Sequence, residues 1–118
     1  MAITIPATNV YRAKVAAAAA AGSALPAATE IAFGTGTSGS DPEDTGLEAE
    51  VFRKGLDSVS AADQILTCTG ELSGSESGQQ ITEVGIFDAD GDLMGRRSFL
   101  PKQLEAESSL EFTLNFQF

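Results

Sequence analysis

The sequence predicts an α+β fold that is mainly β: an antiparallel β-sandwich or bent sheet of about six strands with one N-terminal helix. Three observations lead there. Leu110, Phe112, Leu114, Phe116 and Phe118 alternate without a break with Glu111, Thr113, Asn115 and Gln117, the two-residue period of a strand with one apolar face. Asp88-Ala89-Asp90-Gly91-Asp92 separates two strand-like runs and reads as a hairpin turn. The stretch from Asn9 to Ala21 is rich in alanine and is a helix by propensity.

The helix is expected over about residues 8–22, with Thr8 or Asn9 capping its start and Gly22 its end. The run of alanines makes its last turns narrow, suited to close approach by a sheet, a second helix or another subunit. Arg12, Lys14 and the alanines before Ser23 loosely imitate a signal peptide, but alanine is a weak substitute for a leucine-rich centre, so no leader is expected.

The β-rich part is expected over about residues 28–118. Ile31 and Phe33 share a face of a first strand that Gly34 ends. Gly34 to Gly46 then has no apolar anchor and reads as a polar loop. Its glycines do not make a phosphate loop, because Asp41, Glu43 and Asp44 would repel the phosphate and the Gly-Lys-Ser/Thr ending is missing. Leu47, Ala49 and Val51 alternate with Glu48, Glu50 and Phe52 as a half-buried strand continuing toward Leu56. Ile65 to Leu72 puts Leu66, Cys68 and Leu72 inward, and Ser73 to Gln80 is a second polar loop. Ile81–Phe87 and Leu93–Phe99 are the arms of the hairpin. Pro101 is expected to stop the second arm, leaving a connection up to Glu107 before the last strand.

Composition limits the chemistry. The 118 residues suit one domain, expected to span 1–118. A net charge of −10 opposes binding to nucleic acid or to anionic membranes, and no apolar run approaches the length needed to cross a bilayer. There is no histidine and only one cysteine, which removes cysteine–histidine zinc sites, an intrachain disulfide and the commonest catalytic bases. Cys68 reads as a small core residue. No cofactor is expected.

Asp88, Asp90 and Asp92 are spaced like the first ligands of a calcium loop, and Asp88 with Asp92 could be read as an acid–base pair. Gly91 falls between the second and third acids and Phe99 stands where the closing glutamate should be, so a structural turn is preferred to a metal site or an active site. Glu83 shares a face with Ile81 and Gly85, making it a candidate buried carboxylate that needs a cation. Arg53 is the expected partner, the pair fixing the register of the sheet.

The order of motifs carries a resemblance. An alanine-rich helix is followed by Ile31-Ala32-Phe33-Gly34-Thr35-Gly36, then Leu47-Glu48-Ala49-Glu50-Val51-Phe52-Arg53, then the run from Ile81 to Met94 with its Glu83-Val84-Gly85-Ile86-Phe87-Asp88 core. This order resembles the amino-terminal domain of phage tail-collar and tail-fibre proteins, over most of the chain. Thr35 stands where that family has an acid between two glycines. The family usually continues into a fibre shaft, whereas this sequence reaches only Phe118, so an adaptor or ring subunit is expected instead of a fibre.

The resemblance implies a non-enzymatic structural subunit in the virion tail, made in the host bacterial cytoplasm. It would bind other phage tail proteins, as a homo-oligomer (trimer or ring). For such a module the contact candidates are Tyr11 and Arg12 on the helix, Thr35, Ser38 and Asp41 in the loop, and Phe116 and Phe118 at the end. A small carbohydrate- or ligand-binding β-domain is the alternative, for which the sequence offers no tryptophan and one tyrosine.

Overall fold

The computed structural model describes residues 2–22, 24–62, 65–73, 80–102 and 109–117. These form two four-stranded sheets and one helix. In chain order the elements are β1 (Ala2–Pro6), α1 (Asn9–Ala21), β2 (Ala28–Gly34), β3 (Glu50–Gly55), β4 (Ser58–Ala62), β5 (Ile65–Ser73), β6 (Ile81–Asp88), β7 (Leu93–Lys102) and β8 (Ser109–Gln117). One sheet has the order β1-β8-β5-β4 and the other β3-β2-β6-β7. The expected mainly-β fold with one N-terminal helix is therefore present, with eight strands among the described residues. The two extra strands are β1, a short Ile3/Ile5 alternation, and β4, which is exposed throughout. All pairings are antiparallel except β1 with β8, which run parallel.

The inner faces of the two sheets share one core. Ile3 and Ile5 of β1, Cys68 and Leu72 of β5 and Phe112, Leu114 and Phe116 of β8 meet Ile31, Phe33, Val84, Ile86 and Met94 from the other sheet. Phe33 and Phe112 touch across the interlayer space with ring centroids 5.1 Å apart. Each large side chain removed from water contributes roughly 1.5–3 kcal/mol, so the alternating face of β8 is a main source of cohesion. At one margin the sheets close on a glycine: a Cβ on Gly95 would lie 2.5 Å from Ile5 and 2.8 Å from the Phe116 ring.

Thr8 caps the helix by accepting a hydrogen bond from the Tyr11 N–H at 3.3 Å, and Gly22 closes it in the left-handed conformation. Tyr11 is the helix residue that is fully buried, while most of the alanines face solvent. The helix is tied to the sandwich at its start, where Thr8 donates its N–H to the Met94 carbonyl and its hydroxyl to that of Leu93.

Two expectations about the strands need correction. Between Phe33 and Gly34 the β2–β3 register shifts, so that Phe33 pairs with Phe52 but Gly34 with Glu50. The unpaired Val51 reverses the inward and outward sides: Phe52 packs on the core and Val51 is 40% exposed. Pro101 does not end β7, which runs on to Lys102. A proline is tolerated there because β7 is an edge strand, where a missing N–H need not break a ladder.

Candidate functional site

The segment between β2 and β3 is held over the outer face of the β3-β2-β6-β7 sheet. Its neck closes where the Thr35 N–H donates to the Ala49 carbonyl at 3.0 Å. Near its far end it folds on itself: the Asp41 N–H donates to Asp44 at 2.8 Å and the Glu43 N–H to the Asp41 carboxylate at 2.9 Å. Leu47 packs with Ala32, Phe87 and Leu93, a small apolar cluster on the side of the sheet away from the main core. The segment expected to be a solvated loop is thus anchored from beneath, although Thr37 to Glu43 remain exposed.

The anchor is Glu83, which is fully buried. One carboxylate oxygen accepts the N–H groups of Gly36 and Ala49, both at 2.8 Å. The other accepts the Glu48 N–H at 3.0 Å and Arg96 Nε at 3.1 Å. The neighbouring Thr82 hydroxyl donates to the Gly36 carbonyl at 2.6 Å. Arg96, 3% exposed, extends the network across the loop: Nη2 donates to the Ser38 carbonyl at 2.9 Å, and Nη1 to the Gly39 carbonyl at 3.0 Å and to Asp44 at 3.1 Å. Ser40 returns a hydrogen bond to the Arg96 carbonyl at 2.6 Å. A buried ion pair offsets its desolvation only when the remaining donors and acceptors are also served. Among the described residues no buried side-chain nitrogen or oxygen lacks a partner. Glu48, at the exposed margin, accepts from the Ser38 hydroxyl and the Thr37 N–H, and these bonds hold its carboxyl below the usual range.

The cation that serves Glu83 is Arg96, not the expected Arg53. Strand order explains this: β7, which carries Arg96, adjoins β6, whereas β2 lies between β6 and the Arg53 strand. Arg53 instead forms ion pairs with Glu50 at 2.7 Å and Glu30 at 3.6 Å, and its guanidinium lies 3.7 Å over the Phe87 ring.

The acidic turn is closed by a different cation. Gly91 takes φ +85°, and the Asp88 N–H donates to the Asp92 carbonyl at 3.0 Å. Asp88 accepts the N–H groups of Asp90 and Asp92. Carboxylate oxygens of Asp88, Asp90 and Asp92 lie within 4.8 Å of one another. Lys14 Nζ from the helix reaches all three, at 2.7, 3.1 and 2.8 Å. An ammonium therefore sits against the carboxylates that suggested calcium, and hydrogen bonding, chiefly to Asp88, raises the Lys14 pKa above its ordinary value. The same contacts occupy Asp88 and Asp92, the pair considered for acid–base work.

The contact candidates separate by burial. Tyr11 and Phe116 are core residues, so neither offers a surface to a partner. Burial, followed by the charge of Asp88, raises the Tyr11 pKa. Arg12, Ser38 and Asp41 are exposed and Thr35 is half-buried at the neck of the loop. Phe118 lies outside the described residues. Cys68 is fully buried, and desolvation pushes its thiol up to about 11, as fits a packing role.

Comparison with known proteins comes from one source. A family model described as phage tail-collar fibre protein, N-terminal, matches residues 1–103, a stretch that includes the helix, the anchored loop, Glu83 and Arg96. Searches of curated proteins and of solved structures return no match.

Proposed function

The chain belongs to the phage tail-collar fibre protein family, as a match to its N-terminal domain, and from that premise we propose that it is a non-enzymatic attachment module. Membership carries a structural role in the phage tail and association with tail proteins. The finer reading is an adaptor or ring component that links tail, baseplate, collar or fibre proteins, with residues 1–118 acting as one unit and assembling as a trimer or ring.

The observation that carries this reading is the family match. The geometry supports it in a specific way: a long loop held by Glu83 and Arg96 presents Ser38 and Asp41 to solvent on a preorganised backbone, so little ordering entropy is lost when a neighbour docks there. Arg12 on the exposed side of the helix and Thr35 at the loop neck complete the proposed contact set. Repetition of modest contacts around a symmetry axis multiplies their effect. The carbohydrate-binding alternative gains nothing, because the one tyrosine is in the core.

Electron microscopy of intact particles, with mass spectrometry of the same preparation, tests the reading. The expected result is several copies arranged around the tail axis, with the 35–49 loop against another tail protein. A protein that is absent from particles and strictly monomeric would overturn it.

A further inference from the structure

β1 and β7 are edge strands of different sheets. They meet at Gly95, where a Cβ would lie 2.6 Å from the Pro6 carbonyl. Beyond that point a groove of about 420 Å³ lies between Ala2–Thr4 and Arg97–Phe99. A second hollow of about 390 Å³ runs past Pro6 and Ser40 and shares Arg97 and Ser98 with the first. Arg97 thus borders both, and its Nη1 donates to the Thr4 carbonyl at 2.7 Å.

Three features define what would fit. Among the described residues, β1 is bonded in its sheet only to β8 and β7 only to β6. Thr8 and Ser40 already take the Met94 and Arg96 carbonyls of β7, and Arg97 takes that of Thr4. An added strand would therefore pair at the outer end of the groove, along Ala2–Thr4 or Arg97–Phe99, displacing the Arg97 bond to Thr4 as it enters. The groove has an apolar side in Ile3 and Phe99. Its charge is opposite to that of the molecule: the chain has 17 acidic residues, yet among the described residues no Asp or Glu lines either hollow. Arg96 and Arg53 are each held by two carboxylates, whereas the contact formed by Arg97 among the described residues is to a backbone carbonyl.

We infer that the groove between β1 and β7 takes an extended, acid-bearing segment of a partner tail protein, which adds as a strand and sets a carboxylate on Arg97. The inference rests on the attachment reading above and names the chemistry of the partner. Two-fold pairing of copies through this groove would oppose Arg97 to Arg97, which disfavours a symmetric dimer as the occupant; a head-to-tail contact between copies of a ring would be read as an adduct between two copies.

The test uses the full chain in growing phage, with a photo-reactive benzoylphenylalanine at Thr4 or, as a control, at the exposed Ser60 of β4. Purified particles are irradiated and cross-linked peptides are identified by mass spectrometry. The expected product joins position 4, but not position 60, to an Asp- or Glu-bearing segment of another tail protein. R97Q is expected to lower its yield at least tenfold, and R97K to retain most of it. The same loss is expected when the acid in the captured segment is changed to its amide, a variant that leaves this chain untouched. No adduct, an adduct between two copies, a captured segment without an acid, or a yield indifferent to both variants would overturn the inference and leave the tail role standing. Absence of the protein from particles would overturn the attachment reading itself, and this inference with it.

Discussion

Arg96 and Glu83 lie on the two arms of one hairpin, and their side chains meet at 3.1 Å beneath a loop to which neither belongs. Breaking one partner of a buried pair leaves the other charge uncompensated, which costs about 3–5 kcal/mol. Glu83→Leu also strips the acceptor from the N–H groups of Gly36, Glu48 and Ala49. Urea unfolding should therefore show Glu83→Leu and Arg96→Met each strongly destabilised. The double variant should be more stable than the sum of the two losses by at least about 1 kcal/mol. Strict additivity would mean that the two residues act independently.

Gly95 provides a test of how the sheets close. Alanine there has no room against Ile5, Pro6 and Phe116, and overpacking of this kind costs about 1–3 kcal/mol. Gly39, where an added Cβ meets nothing within 4 Å, is the matched control and should change by less than about 0.5 kcal/mol on substitution by alanine. Equal denaturation midpoints for the two variants would argue against the tight crossing of β1 and β7.

Lys14→Met should lower the thermal midpoint, and the loss should shrink as NaCl is raised, because Asp90 and Asp92 are exposed and screened while Asp88 is not. The pH dependence has a definite sign. The folded pKa of Lys14 lies above the unfolded one, so its contribution is fully present below about 10.4 and disappears as pH rises through the folded value. Alkaline titration of wild type and Lys14→Met should converge at the high end. Parallel curves throughout would contradict the assignment.

The Cys68 thiol should be nearly inert in the folded protein. With a folded value of about 11 against about 8.5 unfolded, its thiolate fraction at pH 8 is lower by on the order of 100-fold, before burial blocks access further. Iodoacetamide labelling at pH 8 should be slower by at least that factor in buffer than in denaturant. The same shift means that the stability linked to this thiol falls as pH rises between those two values.

How much of this was legible depended on whether a pattern was local. The alternation in β8 and the turn at Asp88 to Asp92 are written in consecutive residues, and the structure has the strand and the hairpin that they predict. β1 escapes a sequence reading because five residues beside a strong helix give a weak period, and β4 because Ser58 to Ala62 sets only Val59 and Ala61 on one face, too little apolar surface to mark a strand, and the whole segment stays exposed. Val51 misled because a bulge reverses the inward side without leaving a mark in composition. Arg96 was missed although the hairpin was recognised. Its register puts Gly85 opposite Arg96, two pairs along from the Glu83–Ser98 pair and so on the same face, and the nearer cation is readable from the turn alone. Lys14 could not, since nothing in sequence says that the helix lies over the acidic turn.

β8 lies between β1 and β5, parallel to the first and antiparallel to the second. A pull along β8 would load both ladders in shear, so that many hydrogen bonds bear the force together before any one yields. A pull on β4, bonded only to β5 among the described strands, would peel its pairs one after another. The same sheet is therefore stiff along its central strand and compliant at its edge, and mechanical strength in this molecule is a matter of which strand is held.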